Sequence, residues 1–120
     1  MTGWAMRRGD VFLVNLDPSL GAETNKTRPA ILVSNDAANA TANRNGRGVV
    51  TVVPITSNTT RVYPFQVLLG SGEGGLDRES KAQAEQVRSV DVARLGRRLG
   101  SLRQVTLHQL DDALRLHLGL

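Results

Sequence analysis

The chain has no cysteine, two histidines, two lysines and four aromatic residues among its 120 positions. Without cysteine there is no disulfide framework, no thiolate metal site and no cysteine nucleophile. The two histidines, His108 and His117, lie nine residues apart in a segment with helical periodicity. At that spacing they differ by about 180° in azimuth and cannot share a metal, which removes zinc chemistry and a two-histidine ribonuclease mechanism together. Both are expected at the surface or near a helix end. So few aromatics argue against base-stacking platforms of the RRM type. No apolar run approaches the ~18 residues of a membrane span. The opening MTGWAMRRGD holds no apolar stretch that would serve as a signal peptide, so a reducing cytoplasmic setting is expected. The length implies one domain with one compact core. Glu73, Asp77, Glu79 and Asp111-Asp112 supply no paired-carboxylate spacing within one element and are expected on a solvated face. A serine triad fails for want of a nucleophile elbow and a histidine base.

What is present is arginine. Fifteen Lys+Arg stand against eleven Asp+Glu, a net charge of +4, and all but Lys26 and Lys81 of the cations are Arg. The planar, permanently charged guanidinium matches phosphate oxygens, so the bias points toward polyanions, although a GC-rich genome would produce it too. Residues 8–16 (RGDVFLVNL) read as a first strand closed by Asp17-Pro18, and 19–28 as a polar loop. Pro29 opens a second strand through Ser34, apolar at successive positions and therefore buried on both faces. Residues 35–47 are polar with room for one helical turn at the alanines, and 48–55 (GVVTVVPI) carry the strongest strand signal. Residues 62–69 predict a strand with Pro64 at an edge or bulge. Residues 80–87 fit either a half-buried strand or a helix. Leu107, Leu110, Leu114 and Leu118 form an apolar stripe on a closing helix, with Thr106 and Gln109 spaced as a capping box. About five short strands and one helix favour a small, strongly bent β-barrel.

Three segments invite chemistry. GSGEGG at 70–75 satisfies G-x-G-x-x-G, but no βαβ unit follows in so short a chain, and a hairpin loop is the expected use of its glycines. Glu23, Lys26 and Arg28 crowd a loop that runs straight into the buried strand. Arg28, beside the rigid Pro29, suits a bidentate phosphate clamp, while a solvated polar loop accounts for the same residues. Thr56-Ser57-Asn58 ends the strongest strand with three hydrogen-bonding side chains, which also suit a simple turn.

Taken in order, R-G-D-V-F-x-V-x-L-D-P at 8–18, G-x-E-x-x-K-x-R-P at 21–29, A-I-L-V-S-N-D at 30–36 and V-V-P-I-T-S-N at 52–58 resemble the MazF/PemK (Kid) toxins. L-D-R-E-S at 76–80, E-Q-V-R-S-V-D at 85–91 and the final L-x-x-L-x-x-A-L helix continue the match. The resemblance runs from Met6 to the end, making 6–120 the toxin domain and 1–5 an N-terminal tail. It implies a mainly β fold with a C-terminal α-helix, a small SH3-like β-barrel of the CcdB/PemK plasmid-maintenance type, assembled as a homodimer. It implies the toxin of a type II toxin–antitoxin system: an mRNA interferase, cutting single-stranded RNA sequence-specifically without ribosome, metal or other cofactor. The 2′-hydroxyl would attack, leaving a 2′,3′-cyclic phosphate and a 5′-hydroxyl. The expected protein partner is a MazE-like antitoxin with an acidic, partly disordered tail.

By the same resemblance the catalytic positions are Arg28, Thr56 and Glu23. Lys26, Ser57, Asn58, Gln86 and Arg88 are candidate RNA contacts, with Gln86 and Arg88 equally suited to bracing the last strand. Attack by a 2′-hydroxyl needs a proton acceptor, a proton donor and hydrogen-bond donors for the charge on phosphorus. The neutral form of an arginine side chain is scarce near neutral pH, so electrostatic stabilisation is the role expected of Arg28, with Glu23 the candidate base. The PemK/Kid branch has Arg-x-Asp where this chain has Gln83-x-Glu85, so that branch's acid and base do not transfer; Glu85 would at most replace the carboxylate. Arg44, Arg47, Arg61 and Arg78, in predicted loops, are further candidates for tracking phosphates. Two other classes stay open: a CcdB-like, gyrase-inhibiting toxin without enzymatic activity, which the R-P and T-S blocks count against, and a non-catalytic RNA-binding barrel, which would bind with strong salt dependence and yield no products.

Overall fold

Three consecutive residues, Ala30, Ile31 and Leu32, have no solvent exposure at all, the mark of a strand covered on both faces. The structure, a computed structural model, describes residues 6–16 and 27–120. In chain order it contains β1 (Asp10–Asn15), β2 (Thr27–Leu32), α1 (Asp36–Asn45), β3 (Val49–Thr56), β4 (Gln66–Leu69), β5 (Ser80–Gln83), β6 (Arg88–Asp91), β7 (Leu95–Ser101) and α2 (Gln104–Leu118). Every pairing described is antiparallel, and the sheet runs β4-β5-β3-β2-β1-β7 with β6 also on β3.

Alternation along the strands sends side chains to two cores. Val11, Ile31, Val53 and Ile55 meet Leu107, Leu110 and Leu114 of α2 on one face. Phe12, Val14, Ala30, Leu32, Val50 and Val52 meet Val90, Val92 and Ala42 on the other. The stripe expected on the last helix is therefore correct for its first three leucines, whereas Leu118 is exposed at the helix end.

The expected closed barrel is not what forms: among the described residues the sheet is open, with β4 and β7 at its two ends. The ends meet by packing instead of by a ladder. The connection between β4 and β5 lays Gly74 and Gly75 on β7, so closely that a Cβ on Gly75 would stand 2.0 Å from the Leu99 carbonyl oxygen. Only glycine permits this approach, and Gly75 also takes φ +80°. The glycine run is thus the turn expected of it, between two antiparallel strands.

Other differences have local causes. Residues 36–45 form a full helix because Asn35 caps it, its Oδ1 accepting from the Ala38 N–H at 2.8 Å, and Gly46 ends it in a left-handed conformation. Arg44 accordingly lies in that helix, outside any loop. β4 begins only at Gln66, since residues 63–66 turn around Pro64 with the Gln66 N–H donating to the Tyr63 carbonyl. Residues 80–87 resolve into β5 and a 3-10 turn at Ala84–Gln86. β6 and β7 went unforeseen, because RSVD and LGRRLGS carry little apolar alternation. Thr106 sits inside α2 and does not cap it; Arg103 is the cap position, and its N–H donates to Glu73 at 2.8 Å.

Candidate functional site

The face that holds Ala30 and Val52 turns polar where the strands end. Ala30 pairs with Pro54, so Arg28 and Thr56, each two residues further along its strand, project on that same face. Thr56 pairs in turn with Lys81, and Gln83 follows two residues later. Arg88 enters from β6, opposite Val52, and Gln86 from the 3-10 turn that lifts the chain between β5 and β6. Together Leu16, Arg28, Pro54, Thr56, Gln83, Gln86 and Arg88 line an open cleft of about 310 Å³.

Four of the eight candidate positions are therefore brought together: Arg28, Thr56, Gln86 and Arg88. Ser57 and Asn58 are exposed beyond the strand end and do not line the cleft. Their segment is also the turn anticipated: the Asn58 N–H donates to Thr56 Oγ1 and the Thr60 N–H to Asn58 Oδ1, both at 3.2 Å. Because Thr56 Oγ1 uses a lone pair there, its O–H remains available to donate into the cleft. Glu23 and Lys26 lie outside the described residues.

Among the described residues the electrostatics of the cleft are one-sided. Arg28 is exposed and has no ion pair among the described residues. Among the described residues Arg88 reaches only the Leu16 carbonyl, through Nη1 at 3.4 Å. A bond that long braces the chain weakly and leaves most of the guanidinium's donors unused. Glu85 accepts from Gln66 Nε2 at 2.8 Å and is not among the residues that line the cleft. Gln83 and Pro54 were missed as lining residues. The signal for Gln83 is register, since it follows by two the residue that pairs with Thr56.

His108 and His117 are exposed on α2, which packs against the opposite face of the sheet from the cleft. No helix among the described residues is long and apolar enough to cross a membrane. Two acidic residues depart from the solvated face expected of them. Asp111 pairs with Arg8 at 2.7 Å. The Glu73 side chain is only 5% exposed and pairs with Arg103 Nε at 2.9 Å. Burial pushes the Glu73 carboxyl up, but hydrogen bonds from the Arg103 backbone and side chain and from Thr106, with the Arg103 charge, outweigh it and hold the group below its ordinary value of 4.5.

Comparison with known proteins places the chain in a family. The family described as PemK-like, MazF-like toxin of type II toxin-antitoxin system matches residues 7–118. Endoribonuclease MazF9 of Mycobacterium tuberculosis is 58% identical over 115 residues, 96% of this chain and 98% of that protein. Among solved structures, MazF from Deinococcus radiodurans superposes with a TM-score of 0.75 at 25% identity, covering 98% of this chain and 99% of that one. A mycobacterial endoribonuclease in complex with its cognate antitoxin gives 0.69 at 27% identity, covering 97% and 95%.

Proposed function

The chain belongs to the PemK-like, MazF-like toxins of type II toxin–antitoxin systems, and from that premise we propose how its cleft cuts RNA. It is an endoribonuclease, the toxin of its pair. The cleft holds a phosphodiester of single-stranded RNA, with the Arg28 and Arg88 guanidiniums donating to the non-bridging oxygens. The observation that carries this reading is the convergence of two guanidiniums and a threonine hydroxyl on one cleft. Such an arrangement favours a dianionic, pentacoordinate phosphorus over the monoanionic ground state, which is the differential stabilisation catalysis needs.

In this mechanism the substrate's own 2′-oxygen bonds to phosphorus as the P–O5′ bond breaks. The 2′-hydroxyl proton passes to Glu23, and the departing 5′-oxygen takes a proton from water, leaving 2′,3′-cyclic phosphate and 5′-hydroxyl ends. Arg28 stays protonated and stabilises charge; Thr56 donates through its hydroxyl. Gln86 and Lys26 contact the flanking strand, and Ser57 and Asn58 meet RNA that extends beyond the cleft. Neither metal nor cofactor enters.

The partner that shuts this cleft is a MazE-like antitoxin whose acidic tail complements the exposed arginines. Residues 6–120 form the toxin domain and 1–5 a tail, in a cytoplasmic homodimer. The packing of the 70–79 connection on β7 approximates the closure of the SH3-like, CcdB/PemK barrel class. The deciding experiment incubates a defined single-stranded RNA with the protein in excess EDTA. Discrete cuts with 2′,3′-cyclic phosphate and 5′-hydroxyl ends are expected; no discrete cuts, or 3′-hydroxyl ends, would overturn the reading.

A further inference from the structure

Only four aromatic residues occur in the chain, yet two of them, Tyr63 and Phe65, stand two positions apart in the connection between β3 and β4. Their rings are parallel to within 2°, with centroids 5.3 Å apart. Tyr63 remains 41% exposed, with Val62 beside it at 39%. Two cations attend the pair: Arg61 Cζ lies 5.6 Å from the Tyr63 ring centroid and Lys81 Nζ lies 6.0 Å from it. Arg61 also donates through Nη1 to the Tyr63 hydroxyl at 3.2 Å, which places the guanidinium toward the ring's polar edge.

Lys81 explains why this loop is held where it is. It is only 8% exposed, unusual for a lysine, and its Nζ donates to the Arg61 carbonyl at 2.6 Å. The same residue pairs with Thr56 on one side and with Leu68 on the other. Cross-strand partners share a face, so Thr56, Lys81 and Leu68 form one row running from the cleft toward the aromatic loop. Leu68 is half exposed in that row. This row links Thr56, in the cleft lining, through Lys81 to the loop that carries Tyr63. Exposed rings scattered singly need no explanation, but a ring held parallel to a second one and stapled beside a cleft is preorganised.

We propose that Tyr63, stacked on Phe65 and fixed beside Thr56 through Lys81, is a base-stacking subsite for a nucleobase adjoining the phosphate that is cut. The base extends the Tyr63–Phe65 stack, and Arg61 meets the phosphate on its far side. Stacking accepts any base, with preference set by stacking strength, so this subsite contributes binding and a graded purine preference more than a strict code. The subsite rests on the endoribonuclease reading of the cleft.

The test compares ring-keeping variants, Tyr63→Phe and Tyr63→Trp, with ring-less ones, Tyr63→Leu and Tyr63→Gln, on a long unstructured single-stranded RNA. Ring-less variants should raise KM about tenfold, with kcat within about twofold of the parent. Tyr63→Phe and Tyr63→Trp should keep the parental KM. Mapped cut ends should show weakened purine preference at one flanking position in the ring-less variants alone. Thermal unfolding identifies any variant that is not folded, and Gln serves where Leu fails. An unchanged KM in a folded ring-less variant overturns the subsite while leaving the cleft assignment intact. Parental protein that fails to cut RNA overturns the cleft assignment instead. Ring-less variants that lose only antitoxin affinity would make the loop a protein-docking surface and overturn the proposal.

Discussion

Arg28 and Arg103 carry the same charge and serve opposite faces of one sheet. Arg103 stands at the start of α2, where its N–H and its Nε both donate to the buried Glu73 carboxylate. Arg28 projects from β2 into a cleft whose lining, among the described residues, holds no carboxylate. The first arginine completes an internal arrangement: Glu73 supplies from thirty residues away the helix cap that Arg103's own side chain does not. The second has no ion pair among the described residues. Ion pairs with satisfied geometry hold the fold, whereas converging cations without a counter-charge cost self-repulsion and are retained where an anion completes them. The difference separates two regions by a physical criterion, whether the guanidinium is ion-paired within the described residues, which residue type alone does not reveal.

The sharpest way to break the structural region is Gly75→Ala. Its Cβ would meet the Leu99 carbonyl, and its φ of +80° disfavours any side chain, so the 70–79 connection must leave β7. A loss of about 3 kcal/mol is expected, read as a lowered thermal midpoint, with activity falling only as the folded fraction falls. Arg28→Ala should do the reverse. Loss of a key donor to the transition state costs about 100-fold or more in kcat, near 2.7 kcal/mol, with the thermal midpoint unchanged because the guanidinium is exposed. Arg103→Ala, by contrast, should stay within a few fold of parental activity. If Arg28→Ala cuts RNA nearly as well as the parent, the proposed division of the two arginines collapses. Glu73→Ala comes next, removing an acceptor for the Arg103 N–H and a partner of the buried Thr106. We expect about 1–2 kcal/mol, comparable to the loss of a helix cap, with kcat retained per folded molecule.

These two regions were unequally legible in the sequence. β2 and β3 announce themselves because residues 30–32 and 52–55 are apolar at every position, which only a doubly covered strand tolerates. β7 was invisible for the opposite reason: its arginines and glycines make an exposed end strand, held by pairing to β1 and by close packing of other glycines. Arg28 and Thr56 could be singled out because each adjoins a recognisable strand and matches a family block. That they share a face follows from register, which their spacing along the chain does not give. Glu73 was misread as solvated because its partner lies thirty residues downstream, and no local pattern links a glycine-rich turn to the start of a helix. The aromatic pair was hidden by an average: few rings overall says nothing about two that stand together.

The smallest predicted effect isolates charge from shape. Glu73→Gln keeps the size and one acceptor oxygen but removes the negative charge, and Arg103 is mostly exposed, so the ion-pair part is screened. At neutral pH the variant should be less stable by about 1 kcal/mol, the scale of one hydrogen bond to a charged group less its solvent screening. Because the folded carboxyl lies below its ordinary value of 4.5, the unfolded chain binds the proton more readily than the folded one. The contribution of Glu73 is therefore complete above the ordinary value and declines as pH falls through the lower folded value. Unfolding curves of parent and Glu73→Gln should stand apart at neutral pH and converge in acid. A gap that persists unchanged into acid would mean that Glu73 holds α2 by shape alone, and that the contrast with Arg28 does not rest on charge.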